Sequence, residues 1–386
     1  MDPRGIDNSG PNLDCFEDNP AARDYYDQHY YMYDPTSNFS MAEHFEASGG
    51  FGNWCSQSLT REANYANTPA TARDMLQYIE KLAESRGEDS KEAKLNYYGI
   101  SYGSALGTTY AALFPDRVGH MIIDGVVDVT DYYGGSWTQN LLLADEAVKS
   151  FFQYCFNAGP LCDFFKNDTS PEAIGKRLNA LLDDLDTSPV PVTDKAVVDF
   201  PTVITSFDVR YFLLIAIYDS VTIFPIFASV LADLEVRNGS SIIDLLKSLS
   251  LPKGLMPKAS CDWEGPSYSD IQPKLLIACN DQDGRYNIST LEKWHEYVTE
   301  LKGISNYVGE VWAAVITLQC RSLQFSPPET QKFYGKLYSH SGLMFDGAEF
   351  NQTIIVVLCW SLLTLLPFTK TAYANLLRRL QFNNNE

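Results

Sequence analysis

Histidine and basic charge are both scarce in this chain. Only five histidines occur in 386 residues, and 29 Lys and Arg stand against 49 Asp and Glu, which gives a formal net charge of −20 at pH 7. This balance argues against nucleic acid as a partner, because an excess of Lys and Arg is what replaces the counterions on phosphate. The 45% hydrophobic and 20% charged content is that of a globular protein. The length predicts a core domain with one sizeable insertion.

The sequence also lacks a C-x-x-C pair and a recognisable signal peptide. Eight cysteines are present, but nearby histidines complete no zinc pattern, so we expect no metal site and no cofactor. Five N-x-S/T sequons predict a glycoprotein if the chain is secreted. They lie at Asn38, Asn167, Asn238, Asn287 and Asn351. The cysteines and sequons favour a secreted ancestry, whereas the start has no basic or apolar leader region. The localisation therefore stays open between an intracellular protein and one whose beginning is missing.

One stretch carries the clearest chemistry, and we call residues 95–107 (LNYYGISYGSALG) the elbow segment. A short β-forming run meets Gly-Ile-Ser-Tyr-Gly, and a helix of small and apolar residues follows. This is the strand, turn and helix that the G-x-S-x-G nucleophile elbow requires. Glycines at 99 and 103 remove side chains that would collide in such a turn. The pattern predicts Ser101 as a nucleophile at the start of a helix, whose N-terminal donors favour developing negative charge.

The regions around the elbow segment predict a parallel α/β core. A helix is expected from Thr68, as its N-cap, and Pro69, and a buried strand is expected over 118–126. Strand, helix and strand with short connections form a crossover in a parallel sheet. Residues 21–60, rich in Tyr, Asp and His, indicate irregular structure or short helices. The core with the elbow segment is assigned to 1–129.

After the core the pattern becomes helical. Residues 130–330 are predicted to form a helical cap whose aromatic side chains shape a pocket over Ser101. Residues 331–386 form an atypical C-terminal segment, and its stretch 351–369 contains no charged residue. Nineteen such residues are enough to span a bilayer. The alternatives are a buried strand with a disordered continuation, or a sequence no longer selected for folding. Membrane contact is expected only through this stretch.

Residues 94–127 resemble the α/β-hydrolases of the tripeptidyl-aminopeptidase and proline-iminopeptidase group, and most closely its fungal branch. Residues 2–5 (DPRG) resemble the loop after that family's fourth strand. Residues 278–281 (ACND) and the later Cys320 resemble a cysteine-bearing part of its cap. The resemblance implies an α/β-hydrolase fold with flanking helices and an inserted helical cap. Only a partial parallel sheet is expected, because the resemblance does not include the family's N-terminal and C-terminal parts.

The family mechanism places a serine, an acid and a histidine in that chain order. By resemblance, Ser101 is the nucleophile and the Tyr102 amide is one oxyanion donor. The second oxyanion donor comes from a glycine-rich loop that precedes this sequence in the family. Residues 366–374 faintly resemble the stretch that carries the acid, and Leu366 then occupies the acid position, where it cannot orient a histidine.

The catalytic base and acid that Ser101 needs have few candidates in this chain. The histidines are His29, His44, His120, His295 and His340. The first two are expected at a polar surface, the third on a strand as a structural residue, and the fourth on a polar helix face. His340 lies in a predicted loop and follows the serine in chain order, so it is the best candidate base. Asp124 ends the second strand, where some α/β-hydrolases place the acid, although the family pattern favours a turn residue there.

Two classes of function follow from this pattern. The first is a serine hydrolase that cleaves peptide, amide or ester bonds through an acyl-enzyme on Ser101, aminopeptidase-like by resemblance. A biosynthetic esterase or hydrolase acting on a small metabolite is a variant of it, because one scaffold serves many substrates. The second is a truncated, catalytically impaired relative, a pseudoenzyme or binding protein without the triad acid and histidine. Three disulfides are hypothesised: Cys155–Cys162, Cys279–Cys320 and Cys15–Cys55.

Overall fold

The computed structural model describes residues 1–16, 19–27, 38–248, 271–333 and 354–357. This part of the chain is mostly helical, with one small parallel sheet. The α-helices are α1 (Pro20–Tyr26), α2 (Asn38–Ser58), α3 (Thr68–Ser85), α4 (Tyr102–Leu113), α5 (Val129–Gly134), α6 (Ala144–Ala158), α7 (Pro171–Thr187), α8 (Ser206–Tyr218), α9 (Ser220–Glu235), α10 (Ser240–Ser248), α11 (Ile271–Gln282), α12 (Leu291–Ile304) and α13 (Gly309–Ala313). The strands are β1 (Leu95–Ile100), β2 (Val118–Asp124), β3 (Val190–Val192), β4 (Thr202–Ile204) and β5 (Ile354–Val357).

The parallel sheet has the order β1-β2-β5 within the described residues. Strands β1 and β2 pair in parallel with Gly99 opposite Ile123, and α4 makes the connection between them. The expected strand, helix and strand are therefore present. Helix α4 approaches the sheet most closely at Gly107, where a Cβ would lie 2.6 Å from the Tyr97 ring. Glycine at this position is what lets the helix approach the strand so closely.

Helix α3 begins one residue earlier than the sequence predicts. Its N-cap is Asn67, whose side chain accepts a hydrogen bond from the Ala70 N–H, so Thr68 is the first helical residue and not the cap. Both residue types are good N-caps, and the tertiary structure decides between them. The Thr68 hydroxyl donates to Asp281, 213 residues further along the chain.

Helix α2 corrects the expectation of irregular or short helices over residues 21–60. It runs for 21 residues and contains Gly49, Gly50 and Gly52, which disfavour helix by themselves. A Cβ on Gly52 would lie 2.2 Å from the Arg321 carbonyl oxygen. Gly49 and Gly52 therefore allow residues around Arg321 to lie against the helix, and this packing outweighs the poor helix propensity of glycine.

The largest buried cluster belongs to the helical region that follows the sheet. Phe151, Phe164, Phe212, Phe227 and Trp294 are fully buried there. Helices α6 to α9, α12 and α13 supply most of this core, in agreement with the helical character expected after residue 130. The exact boundaries 1–129, 130–330 and 331–386 stay predictions.

All three hypothesised disulfides are formed: Cys15–Cys55, Cys155–Cys162 and Cys279–Cys320. From the uncharged stretch, residues 354–357 form β5, which pairs in parallel with β2. Residues 351–353 and 358–369 lie outside the described residues. Among the helices in the described ranges, none is both long and apolar enough to cross a bilayer.

Candidate functional site

Ser101 stands in a strained backbone conformation between β1 and α4. Its φ of 55° and ψ of −120° lie in a region that residues with a Cβ rarely adopt. Strand β1 ends at Ile100 and α4 begins at Tyr102, so the serine occupies the single residue between strand and helix. Its side chain is exposed. The turn therefore holds a hydroxyl at the surface, at the N-terminus of a helix.

The glycines on either side of Ser101 allow two backbone segments to meet. A Cβ on Gly99 would lie 2.4 Å from the Gly103 carbonyl oxygen, which is closer than real Cβ atoms come. That same carbonyl accepts a hydrogen bond of 2.7 Å from the Tyr97 hydroxyl. Gly99 is therefore required by a close approach. The space at Gly103 is less restricted, because a Cβ there would meet only the Tyr97 hydroxyl at 3.3 Å.

Hydrogen bonds fix the serine backbone from both sides. The Ser101 N–H donates to the Asp124 carbonyl oxygen at 3.0 Å, which ties the turn to the end of β2. The Ser104 hydroxyl donates to the Ser101 carbonyl oxygen at 2.6 Å and accepts from the Val127 N–H at 2.9 Å. These contacts balance the strain of the turn and leave the Ser101 side chain unconstrained.

The Tyr102 N–H is the first of α4. A helix leaves its first N–H groups without intrahelical acceptors, and its dipole places partial positive charge at the same end. This donor directly follows the exposed serine, so it is suited to a negative oxygen that develops next to Ser101. The Tyr102 side chain points the other way, into the interior, where its hydroxyl lies 2.8 Å from the Thr68 hydroxyl.

No histidine in the described ranges is hydrogen-bonded to Ser101, whose Oγ has no hydrogen-bond partner there. The expectation that His44 lies at a polar surface is wrong. Its side chain is fully buried, its ring lies edge-on to Trp294, and its Nε2 is 3.2 Å from the Gln319 amide nitrogen. Burial lowers the pKa of His44 to about 4. This histidine is therefore a neutral core residue.

The other two described histidines, His120 and His295, are exposed. His120 is exposed near the beginning of β2, where its Nδ1 lies 3.2 Å from the Asn96 side-chain oxygen. Ser101 follows the opposite, carboxyl end of β1. His295 is exposed on α12. His29 and His340 lie outside the described residues, and so does Leu366. The structure thus brings neither His120 nor His295 into a hydrogen bond with the serine.

Asp124 is the last residue of β2 and is 5% exposed. The Tyr98 hydroxyl donates to its Oδ2 at 3.4 Å, and its Oδ1 has no hydrogen-bond partner within the described residues. It lies opposite Ile100 in the parallel register, next to the serine turn. The carboxylate is thus buried beside the turn, as a candidate acid would be, and it contacts none of the described histidines.

A second buried acid, Asp281, was missed as a candidate by sequence reasoning. It is 4% exposed and accepts hydrogen bonds from the Thr68 N–H, the Thr68 hydroxyl and the Tyr132 hydroxyl at 2.8, 2.5 and 2.6 Å. Thr68 in turn contacts Tyr102, the residue after the serine. The one available signal was its place two residues after Cys279. No local pattern indicated that this acid lies behind the elbow segment.

The chain is similar to known serine peptidases. A tripeptidyl aminopeptidase of Streptomyces lividans is 31% identical over 133 residues, which make up 33% of this chain and 21% of that protein. The serine protease Hip1 of Mycobacterium tuberculosis is 30% identical over 132 residues, 33% of this chain and 22% of that protein. No protein-family profile matches the chain. These similarities support a serine peptidase-like family.

The matched region spans only about a fifth of the length of these curated relatives. At family level the names of the relatives support a hydrolase function. The relatives also suggest an α/β-hydrolase-like fold, with which the helix between two parallel strands is compatible. The matched fraction leaves the substrate and activity of this particular chain to be proposed.

Proposed function

We propose that this protein is a serine hydrolase of the α/β-hydrolase fold that cleaves peptide, amide or ester bonds through an acyl-enzyme on Ser101. The observation that carries this proposal is the backbone of Ser101, an exposed, positive-φ serine between a parallel strand and a helix N-terminus. Strain of this kind persists only where the surroundings enforce it, and it is concentrated at functional sites. An aminopeptidase-like substrate is favoured by the names of the similar proteins.

The proposed reaction follows from the groups around the turn. The Ser101 oxygen forms a bond to the acyl carbon while its proton passes to a base, and that proton then goes to the leaving amine or alcohol. The Tyr102 N–H donates a hydrogen bond to the oxygen that becomes negative. A water molecule then hydrolyses the acyl-enzyme.

The base is the part of the proposal that rests on sequence alone. His340 follows Ser101 in chain order and stays the predicted base, and Asp124 is the acid candidate nearest the turn. The fungal branch of the family stays a prediction, since the similar proteins named above are bacterial. A biosynthetic esterase acting on a small metabolite uses the same serine and differs only in the acyl group that it accepts.

Labelling with a fluorophosphonate probe tests the proposal. The wild-type protein is expected to gain one covalent adduct, located on Ser101 by peptide mass spectrometry, and Ser101→Ala is expected to gain none. Ser85→Ala is a matched control, because Ser85 is an exposed serine at the end of α3. A folded wild-type protein that remains unlabelled would overturn the proposal. His340→Gln and His29→Gln, compared with wild type, would show which histidine supports the labelling.

A second candidate function is a protein that binds a peptide or ester without turnover. It rests on the family resemblance, by which Leu366 occupies the position of the catalytic acid, since an unactivated serine is a weak nucleophile. The two candidates differ in one experiment. Binding of a product-like peptide by a protein that resists the fluorophosphonate would favour the non-catalytic protein, whereas labelling of Ser101 would exclude it.

A further inference from the structure

We infer that Asp281 is a positioning residue for the candidate oxyanion donor, the Tyr102 N–H, and that it acts through the Thr68 hydroxyl. The inference deepens the proposed function and rests on it, because an oxyanion donor has meaning only if Ser101 reacts. Asp281 belongs to α11, Thr68 to α3 and Tyr102 to α4. The contact therefore connects three helices that are distant in sequence.

The direction of the hydrogen bonds can be derived from the number of protons. The Thr68 hydroxyl has one proton, and at 2.5 Å it is donated to Asp281 Oδ2, since an ionised carboxylate only accepts. The 2.8 Å contact between Thr68 Oγ1 and the Tyr102 hydroxyl must then use the tyrosine proton. The chain of donation runs from Tyr102 to Thr68 to Asp281. The carboxylate thereby determines which way every hydroxyl in the chain points.

The environment makes this arrangement rigid. Asp281 and Thr68 are 4% and 0% exposed, so neither group can exchange its partner for water. Hydrogen bonds to a charged acceptor are about twice as strong as neutral ones, and a low dielectric strengthens them further. The Tyr132 hydroxyl donates to the same Oδ2 from α5. The carboxylate of α11 thus joins α3 and α5 directly, and α4 through the Thr68 hydroxyl.

The groups that face Asp281 leave its charge sensitive to pH. Its buried neighbours are Tyr102, Tyr132 and Tyr133, and Arg285 is the cation that acts on it. Burial raises the pKa of Asp281 to about 6, and the hydrogen bonds and Arg285 oppose that rise. Burial also raises the pKa of Tyr102 well above its ordinary value, so this hydroxyl remains a donor. A proton on Asp281 weakens the acceptor that organises the chain. The Tyr102 backbone is the part of this network that reaches the reacting serine.

Substitutions at Thr68 separate the hydroxyl from the space that it occupies. Thr68→Val keeps the volume and removes the hydroxyl, whereas Thr68→Ser keeps the hydroxyl. We expect the rate of fluorophosphonate labelling to fall about 10- to 100-fold in Thr68→Val and in Asp281→Asn, because a shift of about 1 Å at a reacting group can cost about 100-fold. Thr68→Ser is expected to stay within about threefold of wild type. Equal rates in Thr68→Val and wild type would overturn the inference.

The pH dependence of the labelling rate distinguishes a positioning role of Asp281 from a purely structural one. The labelling rate of the wild-type protein is expected to show an inflection near pH 6, where Asp281 ionises. A histidine base ionises in the same range, so the readout is the difference between the two proteins: the part of the inflection that Asp281 contributes is expected to disappear in Asp281→Asn. Glu310→Gln is the matched control, because Glu310 is a buried acid of the helical region that pairs with Arg210 and Lys302, away from the serine. Loss of the inflection in this control as well would contradict a specific role of Asp281.

A second measurement does not depend on reaction at Ser101. In protein labelled with ¹⁵N-tyrosine, Tyr102→Phe removes one of the 23 tyrosine amide signals and thereby assigns it. We expect the chemical shift of this signal to titrate near pH 6 in the wild type and to stay constant in Asp281→Asn. If Ser101 is never labelled but the signal titrates, the proposed function fails and the link to Asp281 stands. If the signal does not titrate, the link itself is wrong.

Discussion

The helical region formed by α6 to α9, α12 and α13 is ordered by different means from the elbow segment and the buried groups that contact it. The helical region buries aromatic side chains against one another, with Phe151 in contact with Phe224 and Phe227 at ring separations of 5.3 and 5.1 Å. The elbow segment depends instead on close backbone approach and on a few directed hydrogen bonds. The two regions also differ in their buried acids. Glu310 is paired with two cations, whereas Asp281 is held mainly by neutral hydroxyls.

This difference shows where stability and reactivity can be separated. Apolar burial stabilises in proportion to the area removed from water and tolerates small displacements. A reacting serine and its oxyanion donor tolerate far less, since a shift of about 1 Å can cost about 100-fold in rate. Changes in the helical region are therefore expected to alter mainly the free energy of unfolding. Changes around the elbow segment are expected to alter mainly the chemistry.

The largest expected effect is in the helical region. Phe151→Ala removes a fully buried ring and is expected to lower the free energy of unfolding by about 3–5 kcal/mol, through lost burial and the cavity left behind. Urea unfolding followed by circular dichroism measures this loss. Phe200→Ala is the control, because this ring is 40% exposed, and a change within about 0.5 kcal/mol is expected there. A fall in the labelling rate of the folded Phe151→Ala protein would break the separation between the two regions.

Titration of two buried groups is expected to change the free energy of unfolding by about 3 kcal/mol each, with opposite signs. His44 has a pKa lowered from 6.5 to about 4, so between these values the native state binds fewer protons than the unfolded chain. Its contribution to stability is complete above pH 6.5 and is lost as the pH falls to 4. Asp281 has a pKa raised from 3.8 to about 6, so its contribution falls as the pH rises through that window.

Unfolding measured in steps from pH 4 to pH 7 checks both signs. The free energy of unfolding of the wild type minus that of His44→Gln should increase with pH. The same difference between the wild type and Asp281→Asn should decrease with pH. Taking differences removes the contributions of other groups, including Asp27, whose pKa burial raises to about 7. If both differences change with pH in the same direction, the opposite signs expected for His44 and Asp281 are wrong.

The smallest effect on stability is expected at the elbow segment, together with a large effect on chemistry. Gly99→Ala places a Cβ 2.4 Å from the Gly103 carbonyl oxygen, and relieving this clash is expected to cost about 1–3 kcal/mol. The labelling rate should fall by a larger factor than Phe151→Ala causes. Gly50→Ala is the control, since a Cβ there meets nothing within 4 Å and helix propensity favours alanine. Normal labelling of Gly99→Ala would contradict the role given to the close approach.

Local patterns predicted the elements that local chemistry specifies. The strand, serine and helix of the elbow segment, the second strand and the three disulfides are all present. The predictions for α2, for the cap of α3 and for His44 were wrong, each because a distant segment decided the outcome. Arg321 lies against the glycines of α2, Asp281 takes the Thr68 hydroxyl, and Trp294 packs on His44.

The sequence by itself determined the position of the serine, because two glycines, a β-forming run and a helix of small residues specify a strained turn through local sterics alone. Only the tertiary structure decided which buried groups contact Tyr102, the residue that follows the serine. Asp281 lies 179 residues after Tyr102 in the chain, and no short-range pattern joins them. Their connection through Thr68 exists because a buried carboxylate must take its hydrogen bonds from the groups that packing brings to it, here the Thr68 N–H and hydroxyl and the Tyr132 hydroxyl.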